Sequence, residues 1–194
     1  MSLLRIGVLG SGKGSNFKAI ATAIENGSVP AEVRLVVSDM AEAGILEFAR
    51  ERGLPAKALP ASRFKTKLEP ELESQLVEML QEAGVEVVVL AGYMRMIKAP
   101  MLEAFPNRIL NIHPSLLPQF PGLAAWKQAL DAGALVTGCT IHWVDSGMDT
   151  GQIIAQREVP VLPGDTAESL HARIQVAEHQ LYPEVLAQVA LRKF

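Results

Sequence analysis

Asn111 and His113 stand two positions apart in the segment NIHPS, and both side chains can stabilise negative charge on a reacting oxygen. In an extended backbone their side chains point to the same side, and Pro114 restricts His113 to extended conformations. An amide and a protonated imidazole on one face can both donate hydrogen bonds to a developing oxyanion. The same pair beside a proline is also common in turns, so these residues alone leave a catalytic and a structural role open.

Two aspartates follow in the segment DSGMDTG, where Asp145 and Asp149 lie on either side of a glycine. Aspartates in such loops usually cap turns by accepting backbone hydrogen bonds. His142 alternates with apolar neighbours in a predicted strand, and we assign it a structural role. His171 and His179 lie in the last predicted helix without nearby acids, and they do not make a metal site.

A glycine-rich loop, GSGKGSN at residues 10–16, lies between the first predicted strand and the first predicted helix. Glycines allow close approach to a ligand, and the helix start offers free N–H groups, so the loop predicts an anion site, most simply for a phosphate. Gly10 and Gly12 are followed by Ser15 where a dinucleotide fingerprint has glycine or alanine. Gly14 stands where a P-loop requires the magnesium-binding Ser or Thr. Asp39 could still serve as a ribose-binding acid, so a dinucleotide and a purely structural turn remain alternatives.

The pattern of apolar residues predicts the elements that position these segments. Strands are predicted at 4–9, 33–37, 56–59 and 85–90, alternating with helices at 15–26, 45–52 and 68–83. That order predicts a parallel sheet with helices on both faces. Beyond residue 100 we predict strands at 108–112, 136–144 and 152–159, a short helix at 124–130, and a long helix from about Thr166 with Asp165 as its N-cap.

Composition limits the classes of function. With 194 residues the chain is predicted to form one domain. Its net charge of −3, its pI of about 5.8 and its lack of a basic run argue against nucleic-acid binding. It has no apolar stretch of about 20 residues for a membrane span and no signal peptide at its start. One cysteine permits neither an intrachain disulfide nor a multi-cysteine zinc site. We expect a cytoplasmic protein.

Five segments taken together resemble one family closely. They are GVLGSGKGSN, VVVLAGYMR, NIHPSLLPQFPG, TGCTIHWVDSGMDTGQII and QVAEHQLYP, in this order and over nearly the whole chain. The chain is similar in these segments to the folate-dependent glycinamide ribonucleotide formyltransferases. The resemblance implies a Rossmann-like α/β fold: an open twisted sheet, parallel in its N-terminal half, mixed in its C-terminal part, with helices on both faces. Residues 1–194 would form a single domain, with a phosphate-binding half to about residue 100 and a catalytic and folate-binding half after it.

The resemblance also implies roles for particular residues. The catalytic set would be Asn111, His113 and Asp149, while Asp145 has no match and keeps its capping role. The resemblance implies that Gly14, Ser15 and Asn16 contact the substrate phosphate and that Glu178 contacts the ribose and glycinamide. The implied folate contacts are Lys67, Met94, Arg95, Met96, Ile97 and Asn111.

One position departs from the family, because Trp126 stands where the family often has a histidine. An indole cannot supply the second nitrogen of an imidazole, so we expect Trp126 to be dispensable for the chemistry.

The implied reaction transfers the formyl group of 10-formyltetrahydrofolate, a cosubstrate, to the amine of glycinamide ribonucleotide during purine synthesis. Asp149 is expected to favour the charged form of His113, as a neighbouring carboxylate does. No metal, nucleic acid or membrane is expected to take part, and the protein would be a monomer or a weak homodimer. The alternatives are another folate-dependent formyl-transferring or formyl-hydrolysing enzyme and, from a different class, a dinucleotide-binding module.

Overall fold

The computed structural model describes residues 2–192, and within them seven strands form one sheet with helices on both faces. The order across the sheet is β3-β2-β1-β4-β5-β6-β7, with β1 to β5 parallel and β6 and β7 antiparallel. The predicted Rossmann-like sheet, parallel in its first half and mixed in its second, is confirmed. The strands are β1 (Leu4–Leu9), β2 (Ala31–Ser38), β3 (Ala56–Ala58), β4 (Val87–Leu90), β5 (Ile109–His113), β6 (Val136–Trp143) and β7 (Ile153–Pro160).

Two apolar cores cover the two faces of the sheet. Strand β4 shows how the sequence divides between them, because its alternate residues point to opposite faces: Val87 and Val89 pack in one core, and Val88 and Leu90 in the other. All four are buried, as expected for a central strand with helices on both sides. The helices are α1 (Ser15–Glu25), α2 (Gly44–Glu51), α3 (Pro70–Glu82), α4 (Ala99–Ala104), α5 (Ala125–Asp131) and α6 (Ala167–Arg192).

Two details of the helices differ from the sequence prediction. Helix α4 was not predicted, because six residues are too few to show a helical period and Pro100 stands in its first turn. Thr166, rather than Asp165, caps α6: its Oγ1 accepts a hydrogen bond from the Ser169 N–H at 3.2 Å. The Asp165 carboxylate instead binds both terminal nitrogens of Arg173, at 2.7 and 2.9 Å.

The strand order brings the chemical segments to one edge of the sheet. The chain reverses its direction of winding between β1 and β4, and ligands of open α/β sheets bind at the carboxyl ends of strands beside such a point. The glycine loop follows β1, the segment around Arg95 follows β4, and His113 ends β5. The sheet continues across residue 100, because β4 pairs with β5. In the described part of the chain, no helix combines the length and the apolar character that crossing a membrane requires.

Candidate active site

Three polar side chains from two segments lie together at the carboxyl end of β5. Asn111 and His113 lie on the same face of the strand, and Asp149 comes from the loop between β6 and β7. The Nδ1 atom of His113 is 3.4 Å from Oδ2 of Asp149, and both side chains are largely buried. The structure therefore brings together the three residues that the resemblance made catalytic, although Asp149 is far from the others in sequence.

The loop of residues 120–124 holds this group from one side. The carbonyl oxygen of Phe120 lies 2.9 Å from Nε2 of His113, and the Gly122 N–H donates to Oδ2 of Asp149 at 2.9 Å. Phe120, Ala124 and Asp149 all have positive φ angles, between 51° and 56°. This conformation is uncommon for residues other than glycine, and such strain concentrates at functional sites.

His142 joins the group, although the sequence assigned it only a structural role. It lies opposite Asn111 in the antiparallel pairing of β5 with β6. Its Nε2 is 3.2 Å from Nδ2 of Asn111 and 3.8 Å from Oδ1 of Asp149. Burial lowers the pKa of His142, which favours the neutral ring. Only the register of β5 against β6 could have revealed this contact, and the sequence did not provide it.

The glycine loop leaves the start of α1 open to a ligand. Gly14 precedes the helix with φ 71°, and no side chain caps the first turn, whose N–H groups lack partners within the helix. A Cβ atom at Gly14 would lie 2.8 Å from Cβ of Ile45, so both the backbone angle and the space favour glycine. An uncapped helix start of this kind suits an anion.

A buried pair lies directly behind that helix start. Nδ2 of Asn16 donates to Oε2 of Glu178 at 2.9 Å, and both residues are less than a tenth exposed. Burial raises the pKa of Glu178 to about 7, and the hydrogen bond from Asn16 opposes that rise. Oδ1 of Asn16 is buried without a partner among the described residues. A buried oxygen without a donor is costly, so a ligand that donates a hydrogen bond there would be favoured.

Helix α6 connects the two clusters. The hydroxyl of Tyr182 donates to the carbonyl oxygens of Leu90 and Leu110 at 3.0 and 3.1 Å, and Leu110 directly precedes Asn111. Glu178 lies four residues before Tyr182, which is about one helical turn. Helix α6 therefore holds the Glu178 carboxylate beside α1 and, through Tyr182, binds the Leu110 carbonyl of β5.

The segment after β4 combines an exposed side chain with buried neighbours. Met94 is 58% exposed, Met96 is half-buried and Ile97 is buried. Met96 forms an isolated parallel bridge with Lys67, so the backbones of these two predicted folate contacts are adjacent. The Lys67 side chain is exposed, with Nζ 4.8 Å from the centre of the Phe64 ring.

Arg95 is committed to contacts within the protein. Its Nε donates to Oδ2 of Asp39 at 2.6 Å, and its guanidinium also contacts the carbonyl oxygen of Phe64. The Asp39 carboxylate accepts a second hydrogen bond from Oγ of Ser11 at 2.5 Å. A carboxylate occupied in this way is poorly placed to bind a ribose, which weakens the dinucleotide alternative.

The remaining candidates have structural contacts. The ring of Trp126 stacks on that of His171, with centroids 3.7 Å apart and planes 4° apart, and joins α5 to α6. Oδ1 of Asp145 accepts hydrogen bonds from the Gly147 N–H and from Oγ1 of Thr150, as a turn cap does. Within residues 2–192, no three His, Cys, Asp or Glu side chains are grouped so as to hold a metal ion.

An amide, two imidazoles and a carboxylate lie at the carboxyl edge of an open α/β sheet, beside its switch point, and such a site suits a group-transfer enzyme. The formyl transferase family model matches residues 4–186, and the chain belongs to this family. It is similar to phosphoribosylglycinamide formyltransferase of Bacillus subtilis, with 42% identity over 95% of this chain and 94% of that protein.

A solved structure is similar over the same extent. Glycinamide ribonucleotide transformylase 1 from Symbiobacterium toebii superposes with a TM-score of 0.93 at 49% identity, over 98% of this chain and 89% of that one. The trifunctional purine biosynthetic protein adenosine-3 of Drosophila pseudoobscura is 46% identical over 96% of this chain, which spans 14% of that much longer protein.

Proposed function

We propose that the protein transfers the formyl group of 10-formyltetrahydrofolate to the amine of glycinamide ribonucleotide. The products would be formylglycinamide ribonucleotide and tetrahydrofolate, in de novo purine synthesis. The observation that carries this proposal is the grouping of Asn111, His113 and Asp149 at β5, together with an uncapped helix start at α1 that α6 connects to the same strand. The family and the names of the similar proteins support the same substrates.

The ribonucleotide would bind by its phosphate at the start of α1. The N–H groups around Gly14, Ser15 and Asn16 would hold the phosphate, because an uncapped helix start attracts anions. Glu178 would accept hydrogen bonds from the ribose or the glycinamide part. The unpaired Oδ1 of Asn16 offers a further acceptor in the same place.

The folate would bind along the segment after β4 and reach the catalytic group with its formyl end. Met94, Met96 and Ile97 would form the wall beside the pterin, and Arg95 would keep the wall in place through its ion pair with Asp39. The exposed Lys67 would contact the charged tail of the folate. Asn111 would lie against the formyl group itself.

The chemistry follows from the donors at β5. The amine nitrogen attacks the formyl carbon, and the electrons of the C=O bond move to its oxygen. The Asn111 amide would donate a hydrogen bond to that oxyanion, which is stabilised most when the donor is already in place. His113, whose two ring nitrogens face the Phe120 carbonyl and Asp149, would stabilise the oxyanion by the charge of its protonated form rather than by a hydrogen bond. When the bond from carbon to N10 breaks, N10 takes up a proton and the attacking amine loses one. Asp149 would orient the His113 ring and position the group or water that carries this proton.

The reaction can be tested by measuring free tetrahydrofolate with and without the ribonucleotide. We expect release only when glycinamide ribonucleotide and 10-formyltetrahydrofolate are both present. Release without the ribonucleotide would instead indicate a hydrolase, and formylation of methionyl-tRNA would indicate a different acceptor. Tight NAD binding without formyl transfer would support the dinucleotide alternative. We further propose that the protein acts in the cytoplasm as a monomer or weak homodimer, without nucleic acid, membrane or metal.

A further inference from the structure

The side chain of His142 makes two hydrogen bonds that fix which of its nitrogens carries the proton. Its Nδ1 lies 2.9 Å from the carbonyl oxygen of Trp143, and its Nε2 lies 3.2 Å from Nδ2 of Asn111. A carbonyl oxygen can only accept, so Nδ1 carries the proton. In the neutral ring Nε2 is then bare, and it accepts a hydrogen bond from the amide of Asn111.

The surroundings of His142 favour that neutral ring. Its side chain is 3% exposed, and burial lowers its pKa. The Trp143 carbonyl and the carboxylates of Asp149 and Asp145 favour the charged ring, and His113 from β5 disfavours it. Burial is the largest of these influences, and it acts with His113 against protonation.

The Asn111 amide has a donor end and an acceptor end, and only the donor end can stabilise an oxyanion. If the amide were turned over, its Oδ1 would face the bare Nε2 of His142, and two acceptors would meet without a proton between them. With the amide as it stands, one N–H is donated to His142, and the second N–H of the same nitrogen is left to donate elsewhere. The contact with His142 therefore selects one of the two orientations.

We propose that His142 is a positioning residue for formyl transfer, which turns the Asn111 amide so that its N–H faces the oxyanion. This rests on the proposed function, since the oxyanion belongs to that reaction. His142 itself does not touch the substrate. Protonation of the ring would make Nε2 a donor, which would repel the Asn111 amide and bind Oδ1 of Asp149, now 3.8 Å away.

The kinetic test compares two substitutions at the same position. His142→Leu removes the acceptor, and we expect kcat to fall about 10- to 100-fold, less than the loss of a whole oxyanion donor, with KM changed less than about threefold. His142→Gln places a non-titrating oxygen near the position of Nε2, and it should restore kcat to within about threefold of the wild type. A purely structural role would not produce this split between kcat and KM or this rescue.

A double-mutant cycle shows whether His142 acts through Asn111. In an Asn111→Ala background, His142→Leu should cost less than about threefold further, because there is no amide left to orient. A full additional loss in that background would overturn the proposal, as would a His142→Leu enzyme with wild-type kcat. Should His142→Leu fail to fold, His142→Phe, which also lacks an acceptor but keeps an aromatic ring in the buried site, takes its place in the same cycle, and its effect must disappear with the amide.

One measurement does not depend on activity and separates this proposal from the proposed function. Nitrogen-15 NMR of the ligand-free protein at pH 7 should show a neutral His142 with its proton on Nδ1. A proton on Nε2, or a charged ring, would overturn the proposal even if formyl transfer were established. Absence of formyl transfer in the wild type, with the Nδ1 proton present, would overturn the proposed function and the positioning role together.

Discussion

At the scale of single residues, Asp149 is the acid of the candidate site. Its carboxylate accepts the Gly122 N–H at 2.9 Å and faces His113 at 3.4 Å. Its φ of 56° is a conformation that aspartate and asparagine tolerate better than most residues. Asn is therefore a substitution that removes the charge while it keeps the backbone and the bond to Gly122.

We predict that Asp149→Asn slows turnover at neutral pH by roughly 10²- to 10⁴-fold, the range of an acid–base contribution. The cause would be the loss of the carboxylate charge 3.4 Å from Nδ1 of His113, which orients that ring beside the reacting oxygen. Steady-state kinetics measures the rate. Asp145→Asn, which changes a turn cap in the same loop, should keep its turnover. Turnover of Asp149→Asn within about threefold of the wild type would remove Asp149 from the catalytic set.

Trp126, in contrast to Asp149, is predicted to be dispensable for turnover. Its ring stacks on His171, which is a packing contact between α5 and α6. Trp126→Phe should keep kcat within a few-fold and lower the free energy of unfolding by about 1 kcal/mol, as for a weakened aromatic pair. A loss of kcat near 10²-fold, typical of a missing transition-state donor, would show that the indole N–H takes part in the chemistry.

The residue types of the site were predictable, but their partners were not. Asn111 and His113 could be placed on one face because two positions apart in a strand means the same side. The roles of the Phe120 carbonyl and of His142 depend on the path of a proline-rich loop and on the register of β5 with β6. Neither leaves a periodic signal in the sequence.

At the scale of elements, the loop from β1 into α1 is the feature to test. Ser15→Asp should raise the KM for the ribonucleotide at least about tenfold, since a repulsion of only about 1.4 kcal/mol suffices, and should leave the KM for the folate unchanged. Ser74→Asp makes the same change at an exposed position of another helix, α3, and serves as the control. A raised folate KM with an unchanged ribonucleotide KM would mean that the two ligand sites are assigned in reverse.

Helices and strands could be predicted from the sequence wherever the periodic pattern of apolar residues was long enough to recognise. Strand β1 was predicted with the bounds it has, and α1 to within one residue. Helix α4 was missed because a six-residue helix behind a proline shows no period. The N-cap of α6 was misplaced by one residue, because Asp165 and Thr166 are both good caps and only the pairing of Asp165 with Arg173 decides between them.

At the scale of the whole molecule, α6 holds a titrating group that links the two halves of the sequence. Glu178 is buried against Asn16 on α1, and burial raises its pKa to about 7 in the folded protein from an ordinary value of 4.5. Because the pKa of Glu178 is higher in the folded than in the unfolded protein, the folded protein binds the carboxyl proton more tightly. The protonated Glu178 therefore contributes to the free energy of unfolding in full below about pH 4.5, and this contribution is lost as the pH rises through 7.

We predict that the wild type loses about 3 kcal/mol of unfolding free energy relative to Glu178→Gln between pH 4.5 and pH 8, since a tenfold change in proton affinity corresponds to about 1.4 kcal/mol. Denaturant unfolding at several pH values measures the difference in unfolding free energy between the wild type and Glu178→Gln. The contributions of the other titrating groups are the same in both proteins and cancel in this difference. Glu184→Gln, on the same helix with a side chain 55% exposed, should follow the wild type. A constant difference between wild type and Glu178→Gln would show that Glu178 does not titrate in this range.

The proposed function requires the formyl carbon to move from the folate to the amine of the ribonucleotide at the Asn111 site. The most direct measurement follows a carbon-13 label in the formyl group of 10-formyltetrahydrofolate by NMR. We predict that the label appears as a formamide on glycinamide ribonucleotide when both substrates are present, and that Asn111→Ala slows its appearance. Label released as free formate, label that stays on the folate, or an Asn111→Ala rate equal to the wild type would contradict the account.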